Sequence, residues 1–158
     1  MASRQSLLAL AVDAEAKTVG DFIAVLKSEQ ERLGQGETES LAALAEKKLQ
    51  IADELTALAI KRNALLAQEG LAADQAGVTE WLARHSTDTA LRERWLCVLD
   101  GAREARELNR LNGQLIQIHL QHTAEALEIL LSTGRSLDLY GPDGQTASVA
   151  NRRISESA

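Results

Sequence analysis

His119 and His122 lie three residues apart, a spacing that sets two imidazoles on one side of a helix, where they could share a metal ion. The helical di-metal pattern also needs carboxylates arranged as paired Glu-x-x-His motifs, and the sequence has none. Solvated or hydrogen-bonded histidines are the better reading, with no metal and no cofactor. Phosphotransfer from a single exposed histidine of a helical bundle is a second chemistry, and nothing else in the chain supports it. No Ser or Thr has a recognisable activating partner, no acid and base are placed as a pair, and there is no glycine-rich phosphate loop. The chain does not read as an enzyme. Cys97 is the sole cysteine; set among Trp95, Leu96, Val98 and Leu99, it is expected to be a buried, inert thiol.

The polar residues that stand out instead are those inside apolar stripes, and they require helices to position them. Val12, Val19, Leu26 and Leu33 fall at seven-residue steps, widened by Leu8, Phe22 and Ile23. Leu41, Leu44, Lys48, Ile51, Leu55, Leu58, Arg62 and Leu65 alternate steps of three and four, the pattern of a coiled-coil seam. A third stripe runs through Trp95, Ala102, Asn109, Ile116, Thr123 and Leu130, and predicts a rod of about 60 Å at 1.5 Å per residue. Lys48 and Arg62 therefore sit at seam positions. The first expectation is snorkelling, with stems buried and heads in water; the alternative is a polar layer that fixes register. Asn109 and Asn112 interrupt the third stripe and read as such a layer.

The spacing predicts helices over about 3–33, 38–68, 79–85 and 88–132. Gly34-Gln35-Gly36 stops the first, with Gly34 suited to the left-handed residue after a helix end, and Gly70 closes the second. Short loops imply antiparallel neighbours. Ser86, Thr87, Asp88 and Thr89 offer N-caps for the rod. Trp81 is expected to pin the connector over one end of the bundle, and Trp95 to lie in the core. Antiparallel packing sets Lys48 level with Arg110, within a turn of Asn109 and Asn112, so Lys48 can donate to one of those amides. The same estimate places the first turn near Thr123, so Leu127, Leu130 and Leu131 extend past the hairpin and ask for a cover. Burial of Leu127 and Leu130 by the first two helices would contradict this.

The fold class is thus all-α: an antiparallel helical bundle or coiled coil of three long helices plus a short connecting helix over 1–134, with a flexible C-terminal tail over 135–158. Ser132-Thr-Gly134 is expected to end the rod. Leu137-Asp-Leu-Tyr140 has strand-like character, Gly141-Pro-Asp-Gly144 is a turn signal, and the remainder is small and polar except for Val149 and Ile154.

Composition agrees with long helices. Proline occurs once, aromatics make up 3%, and 158 residues suffice for one domain with a real core. Net charge is −6 with both signs interspersed, which leaves no footprint for nucleic acid or an anionic membrane. The apolar run from Leu7 to Val12 is short and continues into Asp13 and Glu15 without a cleavage-like boundary. No stretch approaches the roughly 20 apolar residues of a membrane span. A cytoplasmic protein is expected.

The motif Leu139-Tyr-Gly-Pro-Asp-Gly-Gln-Thr146, preceded by Leu108-Asn-Arg-Leu-Asn-Gly-Gln-Leu-Ile116 and Ala124-Glu-Ala-Leu-Glu-Ile-Leu130, resembles the FlgN family of flagellar export chaperones. The resemblance is sharp from Trp95 to about Thr146 and generic before it. It implies a cytoplasmic chaperone of the flagellar type III export system. Such a chaperone binds the hook–filament junction proteins FlgK and FlgL at their terminal helical segments and delivers them to the cytoplasmic domain of the export gate protein FlhA. The partner-binding residues are expected to be Leu139, Tyr140, Gly141 and Ile154 in the tail and, from the overhang of the rod, Leu127, Leu130 and Leu131; of these the resemblance itself bears on Tyr140. Tyr140 carries the gate-docking role. The rival reading is a structural coiled-coil adaptor, its seam closed by a homodimer.

Overall fold

The computed structural model describes the backbone of residues 4–139 and the side chains of residues 7–132. Within them the chain forms four helices and no strand: α1 (Arg4–Gln35), α2 (Leu41–Gln68), α3 (Gln75–Arg84) and α4 (Thr89–Leu139). It divides into two compact units, Met1–Leu115 and Ile116–Ala158.

In the first unit, α1 and α2 form a hairpin whose turn is set by backbone hydrogen bonds. Glu37 N–H donates to Arg32 O at 2.9 Å and Gly36 N–H to Leu33 O at 3.2 Å, with Gly36 at φ +73°. This is a Schellman closure, and it places the left-handed residue at Gly36 rather than at Gly34, which remains helical. Arg32 reinforces the turn by donating to Ser40 Oγ at 2.8 Å. The end of α2 repeats the device, with Leu71 N–H on Leu66 O, Gly70 N–H on Ala67 O and Gly70 at φ +73°.

The connector is more helical than its sequence pattern suggests. Asp74 caps α3 by accepting from Gly77 N–H at 3.0 Å, so the helix begins at Gln75 instead of 79. Gly77 has to be glycine, because a Cβ there would stand 1.8 Å from Ala72 O. α3 drives Val78 and Trp81, both fully buried, against Leu8, Leu66, Leu91 and Trp95. Trp81 thus closes one end of the bundle, and Trp95, 5% exposed, is core. Of the four candidate caps for α4, Asp88 is the one used, its Oδ1 accepting from Leu91 N–H at 3.0 Å.

α4 packs closely on α1 at Gly101, where a Cβ would lie 2.4 Å from Val19 Cγ1. Its buried positions are Leu91, Trp95, Val98, Gly101, Ala105 and Asn112. The strict heptad read from sequence is therefore only partly buried, since Ala102, Thr123 and Leu130 are exposed. Cys97 is exposed as well, correcting the expectation of a buried thiol. It lies two residues past Trp95, on the side of the helix turned from the core.

α4 also runs on through Gly134 to Leu139, beyond the stop expected at 132. A helical glycine costs only about 1 kcal/mol relative to alanine, which does not break a helix already propagating. Leu137 to Leu139 are consequently helical rather than strand-like.

Candidate functional site

The seam of α1 continues Leu8, Val12, Val19 and Leu26 by steps of three and four, and that count lands on Glu15 and Glu29. Both carboxylates are buried, at 4% and 3% exposed. They are two heptads apart, as are Lys48 and Arg62 in the seam of α2. In an antiparallel hairpin the early acid meets the late base. Arg62 Nη1 donates to Glu15 Oε2 at 2.7 Å, and Lys48 Nζ lies 3.2 Å from both oxygens of Glu29.

Each pair then reaches α4. The Arg62 guanidinium stacks over Trp95 at 5.1 Å. Lys48 donates to Asn109 Oδ1 at 3.1 Å. Fully buried Asn112 donates to Leu26 O and to Glu29 Oε1, each at 2.9 Å. Trp95 and Asn109 are themselves two heptads apart. All three long helices therefore cross at two polar layers of matching spacing.

The layers replace the snorkelling expected for Lys48 and Arg62, since both cationic heads are paired within the bundle. Their anionic partners, Glu29 and Glu15, are not among the residues that the apolar stripe of α1 singles out. The available signal was two acids at seam positions of one helix, repeating at the same interval as two bases in the next. The two amides also differ: Asn112 is buried, whereas Asn109 is exposed and meets only the head of Lys48.

The first layer is the less satisfied. Glu15 Oε1 is buried with no hydrogen-bond partner among the described residues. Burial raises the Glu15 pKa above 4.5, and the nearby Arg62 charge opposes this without cancelling it. In the second layer Asn112 Oδ1 is the buried atom left without a partner. Such geometry joins the three long helices. Among the described residues, no group of three or more His, Cys, Asp or Glu could hold a metal ion.

The second unit contains the distal part of α4. From Leu120 to Ser132 every described side chain is exposed, including Leu127 at 54% and Leu130 at 66%. Leu120, Leu127 and Leu131 recur at steps of seven and four, one apolar stripe, and Leu130 widens it. Between Arg110 and Arg135 there is no lysine or arginine, while Glu125 and Glu128 supply carboxylates. Leu139 is the last residue of α4. Tyr140, Gly141 and Ile154, together with the tail assigned to them, lie outside the described residues.

A family model described as FlgN protein matches residues 1–148. The chain belongs to the FlgN family. Among individual FlgN proteins, a Flagella synthesis protein FlgN of Yersinia enterocolitica is 42% identical over 74 residues, 46% of this chain and 50% of that protein. The chain thus spans about half the length of that relative. A Flagella synthesis protein FlgN of Salmonella typhimurium is 27% identical over 141 residues, 89% of this chain and 90% of the other. No solved structure matches. The matched span covers both polar layers and the exposed stripe of α4. No helix among the described residues is long and apolar enough to cross a membrane.

Proposed function

We propose that this chain is a cytoplasmic chaperone of flagellar type III export. It binds hook–filament junction proteins of the FlgK and FlgL type and delivers them to the cytoplasmic domain of the export gate protein FlhA. The observation that carries the reading is the exposed apolar stripe of distal α4, Leu120, Leu127, Leu130 and Leu131, in a chain of the FlgN family. An isolated run of this kind is costly in water and suits an amphipathic helix of a partner laid along it. A passenger that folds on binding loses affinity to its own ordering, which suits a complex that must later let go.

The two polar layers serve the same function indirectly. Glu29, Lys48, Asn109 and Asn112 set the register of α4 against the hairpin, so the apolar stripe begins at a defined residue. In this role the layer contributes specificity of alignment rather than net stability. The tail acts separately, with Leu139, Tyr140 and Gly141 docking on the gate and Ile154 adding apolar contact.

The test is binding of purified chain to terminal helical segments of FlgK and FlgL, and to the FlhA cytoplasmic domain. Leu127→Asp with Leu130→Asp should abolish passenger binding. Tyr140→Ala, or removal of residues 137–158, should weaken gate binding while sparing passenger binding. Retention of both interactions by every variant would leave a structural coiled-coil adaptor as the better account.

A further inference from the structure

Distal α4 carries a second apolar stripe besides the leucines. Ile118 and Ile129 are exposed, at 48% and 67%. Ile118, His122, Glu125, Ile129 and Ser132 follow at steps of four, three, four and three, the spacing of a coiled-coil seam. At about 100° per residue, this seam lies on the opposite side of the helix from Leu120, Leu127 and Leu131.

The two stripes differ in kind. Leu120, Leu127, Leu130 and Leu131 contain no ionisable group, so any amphipathic helix can lie along them. The isoleucine seam has an imidazole and a carboxylate at its middle. His122 is exposed and has no hydrogen-bond or ion-pair partner among the described residues. Glu125 Oε1 accepts from Gln121 Nε2 at 3.1 Å, while its Oε2 has no partner among them. A wholly apolar helix laid here would cover both groups and answer neither, which costs affinity. In the first unit an antiparallel neighbour answers such residues: Arg62 meets Glu15 and Lys48 meets Glu29. The other titratable groups between 116 and 132 are His119 and Glu128, which flank the isoleucine seam on opposite sides.

The order of residues along this seam is complementary to itself reversed. An antiparallel copy, related by a two-fold axis passing between residues 122 and 125, sets His122 level with the partner's Glu125 and Ile118 level with the partner's Ile129. The same pairs recur on the other side of the axis. A parallel copy would instead set His122 against its own counterpart and Glu125 against its own. We infer that two copies of this chain pair antiparallel through this seam, with two reciprocal His122–Glu125 contacts at the centre and an isoleucine layer on each side. The axis crosses the helix inside the second unit, so both halves of the contact lie on one helical segment. The leucine stripe faces away from the axis, and the pairing leaves it uncovered. This inference does not rest on the chaperone reading.

Sedimentation velocity of the full chain at pH 6, where an imidazole ordinarily carries its charge, should show a monomer–dimer equilibrium between micromolar and millimolar concentration. His122→Glu gathers carboxylates at the axis and should raise the dissociation constant about tenfold. Adding Glu125→Lys to the same chain should recover it, because each introduced carboxylate then meets an introduced ammonium across the axis. In a parallel pair that double variant would set like charges together. Both positions are exposed, so the variants should fold as wild type, which circular dichroism checks. A monomer at every concentration overturns the proposal, as does a dimer indifferent to His122→Glu or a double variant that fails to recover. Leu127→Asp, on the opposite side of the helix, should leave the dimer intact; its loss there would move the pairing to the leucine stripe and overturn the proposal too. Passenger capture separates this from the chaperone reading, since His122→Glu should bind FlgK segments as wild type does. Failure of the wild-type chain to bind those segments while its dimer persists counts against the chaperone reading alone.

Discussion

Replacing Arg62 by methionine should cost about 3 kcal/mol at pH 7, and the cost should fade as the solution is acidified. The substitution keeps the length of the stem and removes the cation 2.7 Å from Glu15 Oε2. Glu15 is then a buried carboxylate with one oxygen already unpartnered and the other newly so. Breaking a buried pair in this way costs about 3–5 kcal/mol. A ceiling is set by protonation, because the group can become neutral instead of remaining an unpaired anion. At 1.36 kcal/mol per pH unit, neutralising a carboxyl of ordinary value 4.5 at pH 7 costs about 3.4 kcal/mol. Urea unfolding followed by helicity, with a slope of roughly 1.5 kcal/mol per molar, should therefore show a midpoint lowered by about 2 M.

The pH dependence follows from the sign of the Glu15 shift. Its folded pKa is raised by burial even in the wild type, so above 4.5 the folded state holds the proton more tightly than the unfolded chain. Its contribution to stability is greatest below 4.5 and is lost as pH rises through the folded value. Without Arg62 the folded value moves higher and the window widens upward. The gap between variant and wild type should accordingly shrink by up to about 1.4 kcal/mol per unit as pH falls toward 4.5. The remainder, of order 1 kcal/mol or less, is the lost stacking on Trp95 and does not titrate. Glu15→Leu combined with Arg62→Met should recover most of the loss. A deficit below about 1 kcal/mol at pH 7, or one that does not change with pH, would refute the account of a buried, charge-compensated layer.

Asn112→Ala should destabilise by about 2 kcal/mol, because it strips partners from buried Glu29 and Leu26 O; Asn109→Ala, at an exposed site, should cost less than about 1. Thermal melts of the two variants side by side check this. Gly77→Ala forces a Cβ into Ala72 O and should cost about 3 kcal/mol, with Trp81 fluorescence shifting as its packing loosens. Cys97 should react with a thiol reagent in the native protein at nearly the rate of the unfolded chain. Leu127→Ala should leave the melting temperature within about 1 °C of wild type, since its side chain is exposed, while weakening passenger binding several-fold.

Helix number, order and the antiparallel hairpin are properties of periodicity alone. Apolar residues at steps of three and four must share a helix face, and a short glycine-containing turn leaves the next helix no direction but back. The same counting brings Lys48 within reach of Asn109, to whose Oδ1 it donates at 3.1 Å. Family membership was legible in the Leu-Tyr-Gly-Pro-Asp-Gly motif and the segments before it. Tertiary structure decided matters that depend on which side of a stripe is covered. Cys97 is out and Asn112 is in, although both stand among leucines, because α1 touches α4 along a narrow line through Gly101. It also decided how the seam charges are compensated: a lone Lys or Arg in a stripe can reach for water, and only the presence of Glu15 and Glu29 at the same levels of the facing helix turns it inward. Helix ends followed backbone hydrogen bonding rather than residue type, which is why Gly36 and not Gly34 takes the left-handed turn, and why α4 passes through Gly134 without stopping.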